Sequence, residues 1–283
     1  MDLFSVFEPT GGESPVLVEV PHAGTWIPPA YLAAMVAPVR SLGQDADLHV
    51  DALYADAPAE GATLIVANTS RYVLDLNRAE DDWDDAAVEP RPGSLPPRSP
   101  GSMPRGLVWR LTTDGEPALA RPLPRAELDA RIQALHRPYH AAVQAILTRK
   151  QAKFGFALLL AAHSMPSNST AAARRGLRSP ATVPRADVVP GTQGRTTASA
   201  AFIDAVDAHA AAHGLSVRHD DPYKGGYSTR HYGRPHAGQH AVQVELARRL
   251  YMDEQTLVCS ARFAQTKDFC TGLVGRLGRL EPK

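Results

Sequence analysis

Two histidines of this 283-residue chain stand close behind short apolar runs. His22 follows the run 15–20, and His163 follows the run 155–162. Both runs predict buried strands of a parallel sheet, and such sheets bind ligands beyond the carboxyl ends of their strands. Imidazole is the commonest protein ligand of zinc, and a catalytic zinc leaves one of its four positions open to water. A single histidine at a strand end usually has only a structural role, but the pair predicts a metal site.

A carboxylate or a further imidazole must complete such a site. The segment from Asp45 to Asp51 offers four candidates, namely Asp45, Asp47, His49 and Asp51. Acidic residues in the first turn of a helix also stabilise the helix itself, so helix capping is the alternative interpretation. We favour Asp47 as the third ligand and keep Asp51 as the next choice.

A candidate general base lies in the strand predicted over 240–246. The alternation of a strand places Gln243 and Glu245 on one face, and it places Val242 and Val244 on the other. Burial disfavours the charged form of a carboxyl group, so its pKa rises toward the range that suits a general base. We predict this role for Glu245; the alternative is a glutamate that faces solvent on an edge strand.

Two further segments predict recognition of a substrate carboxylate. Arg71, Asn77 and Arg78 lie on or just after a predicted strand, where buried polar side chains are costly unless they are paired. The guanidinium fork of arginine binds carboxylates bidentately, although a structural ion pair with Asp75 is a compatible alternative. The loop predicted over 220–238 combines glycines with aromatic and cationic residues and is predicted to be a mobile binding loop.

The elements that must position these residues alternate between strands and helices. This order predicts a single α/β domain over 1–283, with a mostly parallel sheet between two layers of helices. The predicted strands are 15–20, 62–68, 71–76, 155–162, 215–219 and 240–246. The predicted helices are 28–37, 47–57, 125–150, 197–213 and one from 253 onward. The predicted loops are a proline-rich surface loop at about 79–104, 164–195 and 220–238.

The composition excludes several classes of protein. Lysine plus arginine and aspartate plus glutamate both number 30, so no net charge favours nucleic acid or an anionic membrane. The chain has only two cysteines, no signal-peptide pattern and no apolar run of about 18 residues. Nucleophile-elbow, nucleotide-loop and His-Glu-x-x-His motifs are absent. We therefore expect a cytoplasmic protein that acts on a small molecule.

Taken together and in this order, the motifs resemble those of the N-formylglutamate amidohydrolase family. The resemblance rests on 21–28, 47–54, 70–78, 163–164, 223–233, 240–246 and 250–252. It implies a fold related to the zinc-dependent exopeptidases, a three-layer α/β/α arrangement with a mixed sheet. It also implies one Zn²⁺ (or another divalent metal), which we assign to His22, Asp47 and His163, with Glu245 activating the attacking water.

The segment Asp75–Arg78 is also similar to the substrate-carboxylate motif of aspartoacylase, a relative in the same superfamily. That similarity implies that Arg71 stabilises the oxyanion. It further implies that Asn77 and Arg78 bind the substrate carboxylate, and we add Arg230 and Tyr227 from the predicted binding loop.

The chain departs from the family pattern at three places. Thr25 stands where the superfamily commonly has the glutamate of His-x-x-Glu, Gly106–Arg110 replaces a Gly-Leu-Cys-Pro element, and the loop after Ser164 differs. The resemblance implies metal-dependent hydrolysis of an amide bond, and these departures leave the substrate open to an N-formyl or another N-acyl amino acid. The alternatives are an amidase or peptidase for larger N-acyl amino acids and a binding protein that has lost catalysis.

Overall fold

A six-stranded sheet forms the centre of the protein in the computed structural model, which describes residues 2–83, 86–89, 105–169 and 182–282. The described strands are β1 (Phe4–Phe7), β2 (Val16–Val20), β3 (Thr63–Ala67), β4 (Val88–Glu89), β5 (Leu123–Pro124), β6 (Ala157–Met165), β7 (Asn168–Ser169), β8 (Val183–Pro184), β9 (Val188–Gly191) and β10 (Gln239–Ala247). The order in the large sheet is β1-β3-β2-β6-β10-β9. Its four central strands are parallel, and the two edge strands β1 and β9 run antiparallel to their neighbours.

Helices cover both faces of this sheet. The described helices are α1 (Pro29–Leu32), α2 (Val39–Asp45), α3 (Val50–Leu53), α4 (Arg125–Arg131), α5 (Arg137–Phe154), α6 (Ala200–Ala212), α7 (Tyr227–Tyr232) and α8 (Phe263–Gly278). Helices α3, α6 and α8 pack on one face, in a core that includes Val18, Leu160 and Val244. Helix α5 covers the other face through Tyr139 and Val143. The prediction of a three-layer α/β/α fold with a mostly parallel sheet is thus confirmed.

The prediction of a strand over 71–76 is wrong. The chain makes two successive turns there, closed by the bonds Val73 N–H to Ser70 O (2.9 Å) and Arg78 N–H to Asp75 O (3.2 Å). Tyr72 and Leu74 are buried, as a strand would predict. However, residues two apart in a strand face the same side, whereas these two pack into different hydrophobic clusters. An apolar run therefore reflects burial here and not an extended backbone.

Two predicted helices are shorter than expected. The helix predicted over 47–57 is regular only over Val50–Leu53, because His49 before it has a positive φ of 67°. The helix predicted from 253 begins at Phe263, since Asp253 accepts bonds from the N–H groups of Gln255 and Thr256 in a turn.

Three other boundaries also differ. Val217 of the predicted strand 215–219 makes only an isolated bridge to Val188, because the backbone turns away at Asp220, where φ is 55°. The predicted loop 164–195 contains the edge strand β9, and the predicted loop 220–238 contains α7. Most of the predicted loop at 79–104 lies outside the described residues. Among the described residues, no helix combines the length and apolar character that a membrane crossing requires.

Candidate active site

Three buried side chains from distant parts of the chain meet at the carboxyl end of the parallel strands. His22 lies two residues beyond β2, His163 lies inside β6, and Asp47 lies between α2 and α3. Nδ1 of His22 is 3.6 Å from Oδ2 of Asp47, and Nδ1 of His163 is 3.0 Å from the same oxygen. One ligand atom of each residue lies within 4.8 Å of the others, and all three side chains are buried.

Main-chain contacts explain why these residues meet. Strands β2 and β6 are parallel neighbours, so the residues at their carboxyl ends share one edge of the sheet. The backbone N–H of Asp47 donates to the carbonyl oxygen of His22 at 2.9 Å, and this bond holds the segment before α3 against the end of β2. Asp51, the alternative ligand, is exposed on α3 and lies outside the cluster.

Asp75 orients His22 from behind. This fully buried carboxylate accepts Nε2–H of His22 at 2.7 Å, and it also accepts Nε1–H of Trp109 at 3.0 Å and the guanidinium of Arg71 at 2.7 and 3.2 Å. Burial alone would raise the pKa of Asp75, but Arg71 and His22 hold it well below its usual range. In the neutral form of His22 with its proton on Nε2, the Nδ1 lone pair would be free to bind a cation.

This donor set fits a zinc ion. Zinc bonds to imidazole nitrogen and carboxylate oxygen are about 2.0–2.2 Å long, so ligand atoms on one ion lie roughly 3–4 Å apart. The distances from Asp47 Oδ2 to Nδ1 of His22 and to Nδ1 of His163 fall in that range. Burial alone would raise the pKa of Asp47, but its hydrogen bonds with His163 and His22 lower it, so the carboxylate is charged. A cation between these atoms would replace the proton that His163 Nδ1 shares with Asp47.

Glu245 lies beside this cluster on the neighbouring strand. It is paired in register with His163, because β10 runs parallel to β6. Val242, Val244 and Leu246 pack into the opposite face, so the predicted alternation is confirmed. Oε1 of Glu245 accepts a bond from Nε2 of Gln243 at 2.9 Å. Burial raises the pKa of Glu245 to about 7, and Asp47 adds to this rise, whereas His163 and Arg71 oppose it.

Arg71 closes one side of the cluster. Its guanidinium lies 4.3 Å from the ring centroid of Trp109, and its Nη1 donates to the carbonyl oxygen of Asp45 at 3.3 Å. With Asp75 bound at the other edge, the guanidinium has a fixed orientation. The ion pair between Arg71 and Asp75 that the sequence offered as a structural alternative is therefore present.

Asn77 and Arg78 lie on the turn that follows Asp75. The Nδ2 group of Asn77 donates to Nε2 of His163 at 3.2 Å, so this amide is in contact with the cluster. The side chain of Arg78 is 37% exposed and makes a 3.4 Å contact with Asp82. A guanidinium with this much access to solvent can bind a ligand carboxylate without first leaving a buried pair.

Helix α7 forms the opposite wall and approaches Asn77 closely. The backbone N–H of Ser228 donates to Oδ1 of Asn77 at 3.0 Å, and a Cβ added at Gly226 would overlap the amide of Asn77. Tyr227 is half-buried at the start of this helix, and Arg230 is exposed on it. The structure thus places Tyr227 beside Asn77, whereas Nη1 of Arg230 donates to the carbonyl oxygen of Gly225 at 3.4 Å.

Several residues of the site were not predicted from the sequence. The sequence indicates Asp75 only as a partner for arginine, so it does not predict the bond from His22 to Asp75. Trp109 lies in the segment Gly106–Arg110, which departs from the family pattern. In the structure its ring packs against Arg71 and its Nε1–H donates to Asp75. Nη2 of Arg248 is 3.6 Å from Oδ1 of Asp47. The signal for this contact in the sequence is a charged residue directly after a buried strand.

Several proteins that are similar to this chain in sequence or structure are named as hydrolases. The sequence profile of the N-formylglutamate amidohydrolase family matches residues 14–252. N-formylglutamate deformylases of Pseudomonas aeruginosa and Pseudomonas putida are 37% and 34% identical to this chain over 247 and 246 residues, which is 86% of this chain and 84% of each relative. The crystal structure of N-formylglutamate amidohydrolase from Ralstonia eutropha JMP134 superposes with a TM-score of 0.86 at 35% identity and covers 98% of both chains.

The family match and the names of these relatives identify this chain, with its α/β fold, as a hydrolase. The chain belongs to the N-formylglutamate amidohydrolase family.

Proposed function

We propose that this protein is a metal-dependent amidohydrolase that cleaves an N-formyl amino acid such as N-formyl-L-glutamate into formate and the free amino acid. The observation that carries the proposal is the buried cluster of His22, Asp47 and His163 with Glu245 on the adjacent strand. The names of its relatives support the choice of substrate.

The metal would be held by His22, Asp47 and His163, with Asp75 fixing the orientation of His22. When bound, Zn²⁺ or another divalent cation lowers the pKa of water from about 15.7 toward roughly 7 and polarises the amide carbonyl. The indirect contribution of Asp75 is typical of imidazole ligands, whose second nitrogen is usually bound to a carboxylate or carbonyl oxygen.

Glu245 is the general base of this reaction. It takes a proton from the attacking water and then delivers a proton to the departing amine nitrogen as the carbon–nitrogen bond breaks. Burial raises the pKa of Glu245 above its usual value, and this favours both steps, because such a carboxyl group gains a proton more readily near neutral pH. Gln243 holds the carboxyl in place by its bond to Oε1.

The remaining residues orient the substrate. Arg71, fixed between Asp75 and Trp109, faces the developing oxyanion, and removal of such a donor typically costs about 10²–10³ in rate. Asn77 and Arg78 bind the substrate carboxylate, and Tyr227 and Arg230 of α7 contribute from the opposite wall.

Metal content and turnover of the purified protein test this proposal together. We expect about one zinc or other divalent ion per wild-type chain and release of formate from N-formyl-L-glutamate. His163→Ala should lose both, whereas His236→Ala, which changes an exposed histidine, should keep both. A wild-type protein that holds no stoichiometric metal after reconstitution would refute the metal-dependent mechanism.

The choice of acyl group and amino acid requires a second comparison. We expect kcat/KM to be higher for N-formyl-L-glutamate than for N-acetyl-L-glutamate. It should also exceed the value for N-formyl-L-glutamate 1-methyl ester, which lacks the α-carboxylate. Equal rates for the acid and the ester would contradict recognition of that carboxylate by Asn77 and Arg78.

A further inference from the structure

The long helical segment on one face of the sheet contains a π-helical turn. The sequence predicts an uninterrupted helix over 125–150, but Ile132–His136 form a π-turn between α4 and α5. The N–H of Arg137 donates to the carbonyl oxygen of Ile132, five residues earlier. Pro138 explains this feature, because proline has no N–H and its ring conflicts with the carbonyl oxygen four residues before it. Such turns are frequent at functional sites.

The π-turn changes which core the helical segment faces. Leu128 before it and Ile132 and Leu135 within it pack with Val73 and Leu74, whereas Tyr139 and Val143 after it pack against the central sheet. One extra residue in a turn rotates everything downstream about the helix axis by roughly 100°. The turn therefore lets one helical segment pack against two different hydrophobic clusters.

His136 and His140 lie at this junction, and both reach the turn that carries Asn77. Nε2–H of His136 donates to the carbonyl oxygen of Arg78 at 2.8 Å, and Nε2–H of His140 donates to that of Leu76 at 2.9 Å. The two rings are in contact, with centroids 4.3 Å apart, as their spacing of four residues on a helix allows. The carbonyl groups on both sides of Asn77 are thus bound by imidazoles.

Helix α7 binds the remaining carbonyl of the same turn. The N–H of Tyr227 donates to the carbonyl oxygen of Asn77 at 3.2 Å. All three consecutive carbonyl groups from Leu76 to Arg78 therefore accept a bond from another element. The ring of Tyr227 also packs edge-on against His140, with centroids 5.1 Å apart, which joins α7 to the two histidines.

Both imidazoles are held as neutral donors. Nδ1 of His140 accepts the hydroxyl hydrogen of Tyr232 at 2.9 Å, which leaves the ring proton on Nε2. Burial lowers the pKa of His140 to about 3, and it also lowers the pKa of His136. The rings thus keep one tautomer, in which each donates to its carbonyl group across the neutral range.

We propose that His136 and His140 are positioning residues for substrate recognition, which hold the Leu76–Arg78 turn so that Asn77 and Arg78 point toward the substrate carboxylate. This inference rests on the proposed function, because it assigns recognition of that carboxylate to Asn77 and Arg78. It adds a role for the π-turn and for two histidines that lie outside the metal cluster.

The test compares two replacements of His140. His140→Leu removes the donor to Leu76 O, whereas His140→Gln keeps an N–H near the position of Nε2. We expect His140→Leu to raise KM for N-formyl-L-glutamate about tenfold, with kcat within about threefold of wild type and unchanged metal content. His140→Gln should restore most of the loss. Tyr232→Phe, which removes only the hydroxyl that holds the ring, should raise KM by about two- to threefold.

His209 supplies a matched control. It is also a buried histidine, and its Nε2–H donates to the carbonyl oxygen of Phe269 at 2.9 Å, but it lies on α6 away from the turn. His209→Leu should lower the melting temperature and leave KM unchanged. Equal increases of KM in His209→Leu and His140→Leu would overturn the proposal, as would an unchanged KM in a folded His140→Leu.

Amide hydrogen exchange of a peptide covering residues 74–80 gives a readout that needs no turnover. We expect exchange in that peptide to be about tenfold faster in His140→Leu than in wild type and unchanged in His209→Leu. Failure of the proposed function would show as a wild type that hydrolyses no N-formyl amino acid. In that event, unchanged exchange in His140→Leu would still overturn the positioning role, and faster exchange restored by His140→Gln would support it.

Discussion

The proposed cation-binding half and the proposed recognition half of the site are held by different kinds of contact. In the first half, His22, Asp47 and His163 are buried and touch one another through their side chains. In the second half, the backbone carbonyl groups around Asn77 are bound, while Arg78 remains partly exposed. The first half is thus fixed by the register of the sheet, and the second half by the packing of helices against a turn.

This difference indicates which parts of the site can change independently. A buried charge that loses its partner is strongly destabilising, so changes in the first half affect metal binding and stability together. Substitutions at exposed positions usually alter stability by less than about 0.5 kcal/mol. If Arg78 and Arg230 bind the substrate as proposed, they can vary with the substrate while the reaction stays the same.

The largest expected effect is that of Glu245→Gln. The amide cannot take a proton from water, and general acid–base catalysis typically contributes about 10²–10⁴ in rate, so kcat should fall by that factor. Metal content should stay at the wild-type value, because Glu245 is not among the three ligands. Glu13→Gln, a change on a distant surface, is the control. A kcat within threefold of wild type would remove Glu245 from the role of base.

The next effect is that of Asp75→Asn on metal affinity. The amide oxygen can still accept Nε2–H of His22, but the charge is lost and Arg71 is left without its partner. Loss of such an outer partner typically weakens metal binding about 10–100-fold, which competition with a chelator measures. Asp45→Asn is the matched control, because Asp45 is also buried and bonded, to Tyr72 and Thr113, without touching His22. If both variants bind zinc as wild type does, Asp75 has no part in metal binding.

Arg78→Lys tests the recognition half alone. Lysine keeps the charge and loses the bidentate fork, so KM should rise about tenfold with kcat within about threefold of wild type. Arg137→Lys on the adjacent surface should leave both values unchanged. A rise in KM that is accompanied by loss of metal would show that the two halves are not independent.

The smallest expected effect concerns Glu19, a buried carboxyl group outside the metal cluster. Glu19 lies fully buried in β2 beneath α7, where Ser228 Oγ donates to it at 2.9 Å, and burial raises its pKa. A carboxyl group whose folded-state pKa is raised costs no stability below its unfolded pKa of about 4.3 and lowers stability as the pH rises above that value. Glu19→Gln should therefore raise the melting temperature by about 2–4 °C at pH 8 and leave it unchanged at pH 4.

Glu13 provides the control of opposite sign. The Lys153 ammonium group holds the pKa of Glu13 below its usual range, so its carboxylate adds stability above the unfolded pKa, and this contribution is lost as the pH falls. Glu13→Gln should consequently lower the melting temperature at pH 8. A Glu19→Gln variant that is also less stable at pH 8 would contradict the sign derived for Glu19.

The sequence predicts the cation-binding half better than the recognition half. His22 and His163 stand close behind apolar runs, and Glu245 stands within one, so the geometry of a parallel sheet is enough to bring them to one edge. The turns over 71–78 could not be predicted in this way. Consecutive residues there are buried in separate hydrophobic clusters, so the sequence has the apolar pattern of a strand although the backbone turns. The π-turn at 132–136 had a local signal in Pro138, but its consequence for His136 and His140 depends on packing with a distant segment.

The separation of the cluster along the chain has a consequence for folding kinetics. Asp47 and His163 are 116 positions apart, and His163 meets Glu245 only when β6 pairs with β10. No short fragment of the unfolded chain contains a complete site, and contacts this distant form slowly because long loops must close first. We therefore expect zinc to bind after the central strands have paired, so that it slows unfolding and leaves the rate of refolding almost unchanged.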